Sequence, residues 1–138
     1  MARAGYSGTP LPQKLGIKER HRVALIGAPR GFDLGTLPTG ATVHTNLRSK
    51  PALDVVVVFV KSKADLAAAI AACRPKLQQN GGLWIAWPKK SSGVATDLVE
   101  QTVRDVALPT GLVDNKVCAI DDTWSGLRLV YRVADRGR

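Results

Sequence analysis

The sequence has few of the residues that hold a metal, a disulfide scaffold or a membrane segment. Its 138 residues include two cysteines and two histidines, too few and too scattered for a structural zinc site. No apolar run approaches the roughly 20 residues that span a bilayer, and residues 1–9 lack the apolar core of a signal peptide. These absences argue against zinc, membrane and secreted proteins, and we expect a cytoplasmic chain that contacts no membrane.

Positive charge dominates and is concentrated at the two ends. Lys and Arg outnumber Asp and Glu by 20 to 11, and residues 1–30 and 124–138 carry net charges of +5 and +3. If the ends meet, Arg128, Arg132 and Arg136 would contribute to one basic face that attracts polyanions by counterion release. A basic nucleic-acid-associated protein is therefore one alternative. Because no aromatic stacking set accompanies the charge, solvated charge that aids solubility is the simpler interpretation.

Apolar and β-branched segments predict six strands, at residues 21–27, 41–47, 54–60, 83–87, 112–120 and 124–133. The run at 54–60 (DVVVVFV) has no polar alternation, which is typical of a parallel strand covered on both faces. The last two segments flank a short Asp-Asp-Thr turn and predict a β-hairpin. The second segment, at 41–47, is weaker and is expected at an edge.

Two helices are predicted between these strands. Ser62 and Asp65 form a capping-box-like start for a helix over residues 65–79. Because Pro75 lacks a backbone N–H, this helix should kink or restart near Arg74. Asp97 and Glu100 are expected to cap a second helix, whose core stripe is Val99, Val103 and Val106.

Residues 1–20 are predicted to form an arm that packs on one domain, residues 21–138. Its glycines and prolines disfavour a long regular element, and its apolar residues are its anchors: Tyr6, Leu11, Leu15 and Ile17. The connection from 27 to 41 is equally rich in glycine and proline and leaves room for about one helical turn near 32–34.

Two loops are candidate anion sites because each follows a predicted parallel strand, where open α/β sheets bind ligands. The first contains Gly27, Arg30 and Gly31, and its arginine suits a bidentate anion contact. The second follows strand 83–87 with lysines and hydroxyls: Lys89, Lys90, Ser91 and Ser92. We expect the two loops to converge at one sheet edge, the alternative being solvated turns.

No catalytic residue, metal ligand or cofactor motif is predicted. The segment 27–31 (GAPRG) has neither the phosphate-loop nor the dinucleotide-binding spacing. Asp121 and Asp122 are ordinary turn residues, and Cys73 and Cys118 lie among apolar residues, as inert cysteines do.

The layout resembles the Rossmann-like fold of S-adenosylmethionine-dependent methyltransferases, through segments 55–60, 65–79 and 81–88. That resemblance implies an α/β fold with a mostly parallel sheet and a C-terminal antiparallel β-hairpin. It also implies a glycine-rich first turn and an acid that ends the second strand and binds the cofactor ribose. Here the second strand ends His44-Thr45-Asn46, so a divergent methyltransferase would need another acid, such as Asp33 or Asp54.

Several short segments together resemble a bacterial family of uncharacterised domains. They are AGYSGTPL (4–11), KLGIK (14–18), RVALIGAP (22–29), GGLWIAWPKK (81–90), TDL (96–98) and GLVDNKVCAIDDTWSGL (111–127). The resemblance implies a cytoplasmic single-domain protein and supplies no activity. Our interpretation is a non-enzymatic binding or regulatory module on a degenerate methyltransferase-like fold. It would hold an anionic small molecule, a nucleic acid or a protein partner.

Overall fold

A computed structural model describes residues 9–48 and 52–136. The chain forms three helices and six strands in the described part. The helices are α1 (Leu11–Lys14), α2 (Lys63–Cys73) and α3 (Glu100–Ala107), and the strands are β1 (Arg22–Ile26), β2 (Thr42–His44), β3 (Leu53–Phe59), β4 (Leu77–Pro88), β5 (Leu112–Ala119) and β6 (Trp124–Tyr131). None of the described helices is long and apolar enough to cross a membrane.

The strands form one sheet in the order β2-β1-β3-β4-β6-β5. The first four strands in that order are parallel, and β6 runs antiparallel to both β4 and β5. The predicted α/β class, with a mostly parallel sheet and a C-terminal hairpin, is confirmed. β3 lies in the middle with its valines buried, as a parallel strand covered on both faces requires.

The two faces of the sheet are covered by different parts of the chain. Helices α2 and α3 cover one face, where Leu66, Ile70 and Val103 are fully buried. The other face is covered by residues of the N-terminal segment and of the connection 27–41, including Leu15, Ile17 and Leu34. Tyr6 and the rest of residues 1–8 lie outside the described part of the chain.

The predicted course of the chain from 65 to 82 is wrong in one respect. Ser62 caps α2 as expected, its Oγ accepting from the Asp65 amide at 3.1 Å. The helix, however, ends at Cys73, and Arg74–Lys76 form a 3₁₀ turn. Pro75 has no N–H to continue the helical bonds, so Leu77 begins β4 and pairs with Leu53. Asn80, Gly81 and Gly82 therefore lie inside a strand, where the β3–β4 register shifts.

The start of α3 and the connection 27–41 also differ from expectation. Asp97 does not cap α3, because its Oδ1 accepts from the Lys63 amide of α2 at 3.0 Å. Val99 occupies the N-cap position and is 48% exposed, so it is not part of the core stripe. The expected helical turn at 32–34 does not form, and the described connection from 27 to 41 contains turns alone.

Candidate functional site

A groove runs along the carboxyl ends of β1 and β3, beside the turn between β5 and β6. It consists of two adjoining cavities of about 390 and 240 Å³. Pro29, Lys61 and Trp124 line both of them, so they form one continuous surface. We call it the carboxyl-edge groove. Its position is where open parallel α/β sheets bind ligands.

The floor of the groove depends on a glycine and an aromatic cluster. Gly27 has φ +69°, and a Cβ at this position would lie 3.2 Å from the Phe59 carbonyl oxygen. A side chain here would therefore be strained and crowded. Phe59 meets Phe32 on one side and Trp124 on the other, each edge to face with ring centroids 5.0 Å apart. Because Phe32 and Trp124 line the larger cavity, the groove offers aromatic surface to a ligand.

Four charged side chains line the groove: Arg30, Lys61, Asp65 and Asp121. The Asp121 carboxylate already accepts from the Thr123 and Trp124 amides, at 2.8 Å each. Asp65 lies in the first turn of α2, where the helix dipole stabilises its negative charge. Arg30 and Lys61 are exposed and form no described ion pair, so they are the charges left for a ligand.

Two of the amides at the start of α2, those of Lys63 and Asp65, already have acceptors. The Lys63 amide donates to Asp97 Oδ1 and the Asp65 amide donates to Ser62 Oγ. Thr96 Oγ1 donates to the Lys61 carbonyl at 2.6 Å. This hydrogen bond connects the loop before α3 to the start of α2. Attraction for an anion in this groove therefore comes mainly from side chains.

The two loops predicted as anion sites are placed differently. Arg30 and Gly31 line the larger cavity and Gly27 lines the smaller. The second loop folds into a 3₁₀ turn at Lys90–Ser92 and contributes its later residue Val94 to the larger cavity.

The polar groups of the second loop stabilise the turn itself. Ser92 Oγ donates to the Lys89 carbonyl at 2.6 Å and accepts from the Val94 amide at 3.1 Å. The Lys89 amide donates to the Thr123 carbonyl at 2.8 Å. Lys90 and Ser91 are exposed, and none of Lys89–Ser92 lines either cavity of the groove. Convergence of these lysines with Arg30 stays a prediction.

Sequence reasoning missed Lys61 and Trp124, which line both cavities. Lys61 follows the most clearly predicted strand directly, which is the same signal that identified Arg30 after β1. Trp124 is the first residue of the predicted strand 124–133, and it is only 6% exposed. Its position in the groove could not be predicted from the sequence, because the β5–β6 turn reaches this edge only in the folded sheet.

The three arginines of the predicted basic face have different environments. Arg132 and Arg136 are exposed and donate to the carbonyls of Leu108 and Tyr131, at 3.4 and 3.1 Å. Arg128 lies within β6 and is half-buried. Burial lowers the pKa of Arg128, and the positive charge of Arg136 lowers it further.

The histidines and cysteines lie away from the groove. His21 Nδ1 accepts from the Lys18 amide at 3.1 Å, and His44 Nε2 lies 3.4 Å from Thr42 Oγ1. Burial raises the pKa of the Cys73 thiol to about 11 and raises that of Cys118, so neither is an activated nucleophile. Within residues 9–48 and 52–136, no three His, Cys, Asp or Glu side chains cluster as metal ligands.

Both substitute acids for a cofactor ribose already accept a hydrogen bond from a backbone amide. Asp33 Oδ1 accepts from the Gly35 amide at 2.9 Å, which closes a local turn. Asp54 is the second residue of β3, so it lies at the opposite edge of the sheet from the groove. Its Oδ2 accepts from the Arg22 amide at 2.8 Å.

Solved methyltransferase structures share this fold. A methyltransferase from Aquifex aeolicus that depends on S-adenosylmethionine matches with a TM-score of 0.59 and 12% identity over 85% of each chain. Fibrillarin from Aeropyrum pernix, solved with natively bound S-adenosyl-L-methionine, matches with a TM-score of 0.56 and 14% identity, over 91% of this chain and 70% of that one. Magnesium protoporphyrin IX methyltransferase from Synechocystis PCC 6803 matches with a TM-score of 0.49 and 14% identity over 71% of this chain. This chain spans only 48% of that enzyme.

The matches to the Aquifex aeolicus and Aeropyrum pernix proteins confirm the expected methyltransferase-like fold, and at such identities they establish the fold alone. No functionally curated protein matches the chain. A family described as a protein of unknown function (DUF3052) matches residues 40–133, in agreement with the predicted resemblance to an uncharacterised family. Since that match covers more than half of the sequence, the chain belongs to this family of proteins of unknown function.

Proposed function

We propose that the carboxyl-edge groove binds a small anionic molecule that carries a planar ring, and that the chain is a non-enzymatic binding or regulatory module. One observation carries the proposal. Arg30 and Lys61, neither in a described ion pair, line the same groove as the ring of Trp124.

The size and position of the groove support a small-molecule ligand. Its larger cavity, about 390 Å³, lies within the roughly 300–1,000 Å³ typical of such sites. Both cavities open where β1 and β3 end, so backbone and side chains from two adjacent strands surround one space.

The residue types indicate the ligand's chemistry. An arginine side chain binds a carboxylate or phosphate through two parallel N–H donors, and lysine adds a mobile positive charge. The half-buried Phe32 and the small exposed part of Trp124 offer apolar surface beside these charges. A ring-bearing phosphate or carboxylate would use both features at once.

The ionisable groups of the groove support binding without catalysis. Among the residues that line it there is no histidine or cysteine. The Asp121 carboxylate already accepts from two backbone N–H groups of the β5–β6 turn, so it serves that turn. Asp65 is left as the one carboxylate of the groove without a described hydrogen bond to its oxygens.

Binding of S-adenosylmethionine is the second candidate, because fibrillarin with that natively bound cofactor shares the fold. The end of β2 argues against it, since His44 stands there where the methyltransferase resemblance implies an acid. Tight binding of S-adenosylhomocysteine that changes little with salt would favour this second candidate.

The partner class and the cytoplasmic location stay predictions. Nucleic acid binding is expected to weaken steeply with salt and to need Arg128, Arg132 and Arg136. Cell fractionation would test the location.

Calorimetric titration tests the proposal, preceded by native mass spectrometry of the protein purified from its own cells to detect a retained ligand. Adenosine 5′-monophosphate serves as the probe because it combines a ring with a phosphate, and S-adenosylhomocysteine is titrated in parallel. Arg30→Ala and Lys61→Ala remove the two groove cations. Lys76→Ala is the matched control, since Lys76 precedes the amino end of β4.

We expect saturable binding of the nucleotide that weakens about tenfold, the value of one charged hydrogen bond, in either groove variant. The control should bind like the unmodified protein. The proposal is wrong if no retained or titrated anion binds, or if both groove variants bind as well as the control.

A further inference from the structure

A second, smaller cavity lies at the opposite edge of the sheet, where β1 and β3 begin. Its volume is about 130 Å³, and its lining is mostly polar. Residues from the N-terminal segment, the strand starts and β6 surround it: Gly16, Lys18, His21, Asp54, Gly81 and Arg128. We call it the amino-edge cavity.

Arg128 reaches this cavity because β4 carries a glycine beneath it. Arg128 pairs with Trp84 across the β4–β6 ladder, so its side chain lies on the same sheet face as residues 82 and 84. A Cβ on Gly82 would lie 2.3 Å from Arg128 Nε and 2.8 Å from Cζ. Any larger residue at position 82 would displace the guanidinium.

Arg128 is half-buried and forms no salt bridge within the described part of the chain. The salt bridges described for residues 9–48 and 52–136 both involve Arg104, with Glu100 and Asp114. The residue opposite Arg128 on β5 is Lys116, and Arg136 is near enough to lower the pKa of Arg128. Like charges around a partly desolvated guanidinium are unfavourable, and an anion would relieve this.

Two more donors line the cavity. Lys18 is exposed and adds a second positive charge. Because His21 Nδ1 accepts the Lys18 amide proton, the neutral ring carries its own proton on Nε2, which is then its donor. The single carboxylate is Asp54, whose Oδ2 accepts from the Arg22 amide. The two cationic side chains of the cavity, Arg128 and Lys18, outnumber this one carboxylate.

We infer that the amino-edge cavity binds a phosphoryl group or another tetrahedral oxyanion, held by the Arg128 guanidinium and the Lys18 ammonium. The two nitrogens at the end of an arginine match two oxygens of such a group. The cavity is too small for a nucleoside, since sites for drug-sized ligands start near 300 Å³. The ligand is therefore inorganic phosphate or the terminal phosphate of a small molecule that extends outside.

Nuclear magnetic resonance titration of the ¹⁵N-labelled full chain with inorganic phosphate tests this inference. We expect saturable shifts confined to the amides of Gly16, Lys18, His21 and Gly81 and to the Arg128 Nε–H. Glycerol 3-phosphate, titrated in parallel, separates the two ligand sources, because a terminal phosphate should give the same shifts with tighter binding. Shifts that spread over all basic segments, or no saturation, would overturn the inference.

Two variants test the role of the guanidinium. Arg128→Gln should weaken phosphate binding about tenfold or more, whereas Arg132→Gln removes the same charge from an exposed position near the end of β6 and should change binding less than twofold. Equal losses would show diffuse attraction and contradict a built site. Nucleic acid binding that depends equally on Arg128, Arg132 and Arg136 would also contradict a built site at Arg128.

Gly82→Ala keeps every charge and displaces the guanidinium, so it should lose phosphate binding as Arg128→Gln does. Unchanged binding would overturn the assignment of Arg128. If either variant fails to fold, the location of the shifts in the unmodified protein decides the question. Arg128→Gln should leave nucleotide binding in the carboxyl-edge groove unchanged, which separates the two sites.

Discussion

One buried hydrogen bond joins the N-terminal segment to the centre of the sheet. Trp84 of β4 is fully buried, and its indole Nε1 donates to the Leu15 carbonyl at 3.0 Å. Leu15 is also fully buried, so water cannot replace the lost donor. We expect Trp84→Phe to loosen residues 9–20 from the sheet.

The magnitude follows from a matched comparison. Trp87, three residues further along β4 and so on the opposite face of the sheet, is 5% exposed and packs on the helix-covered face without a described hydrogen bond. Both Trp→Phe changes remove the same ring atoms, at a cost of about 1–2 kcal/mol each. Trp84→Phe also leaves a buried carbonyl unsatisfied, which costs about 1–3 kcal/mol more. For a chain of this length that difference lowers Tm by about 3–12 °C.

Urea denaturation followed by far-ultraviolet circular dichroism measures the difference between the two variants. Limited trypsin digestion adds a local readout, since cleavage after Lys14 and Lys18 should accelerate in Trp84→Phe alone. Lys14 is 9% exposed, and its Nζ donates to the Ala119 carbonyl at 2.6 Å, so cleavage there reports detachment. Equal destabilisation of the two variants, with equal digestion, would refute the reasoning.

Three further changes test the core. Gly126→Ala would place a methyl group 2.8 Å from Ile120 Cδ1, so urea denaturation should show a loss of about 1–3 kcal/mol; an unchanged midpoint would contradict this packing. Because burial raises the pKa of Cys73 to about 11, the unfolded chain releases this proton first, above about pH 8.5. Between about pH 8.5 and pH 11, the free energy of unfolding of the unmodified protein should therefore fall relative to that of Cys73→Ala. Parallel pH curves for the two proteins would contradict this prediction. Tyr131→Phe removes the O–H that donates to the Arg74 carbonyl at 2.6 Å and should cost about 1 kcal/mol, measured by thermal unfolding. An unchanged stability would show that water replaces the hydroxyl group.

The sheet was predictable because burial on both faces leaves a clear mark on a strand. The valine run of β3 and the Ser62 cap of α2 each depend on neighbouring residues, which a sequence pattern records. The end of α2 was less clear, since an apolar residue such as Leu77 suits both a helix stripe and a strand. Pro75 decided between them only together with the pairing of Leu77 to Leu53.

Contacts between residues distant in sequence account for the rest. Asp97 has the sequence of a helix cap, and its carboxylate instead accepts from Lys63, which lies 34 positions earlier. The groove combines Arg30, Lys61 and Trp124 from three separate segments. The sequence predicts that each segment lies at the end or the start of a strand. It does not predict which of these segments lie close together, because that depends on the strand order.

The connection between β1 and β2 explains why the groove depends on side chains. Parallel strands are usually joined by a helix, whose amino-terminal amides would face a ligand at the carboxyl edge. Here Gly31, Gly35 and Gly40 all have positive φ, and the connection contains no helix. The Lys63 and Asp65 amides at the start of α2 donate to Asp97 and Ser62. A phosphate site built from backbone amides would survive most substitutions, whereas this groove offers an anion mainly Arg30 and Lys61. Its affinity should therefore fall with salt and with either single substitution.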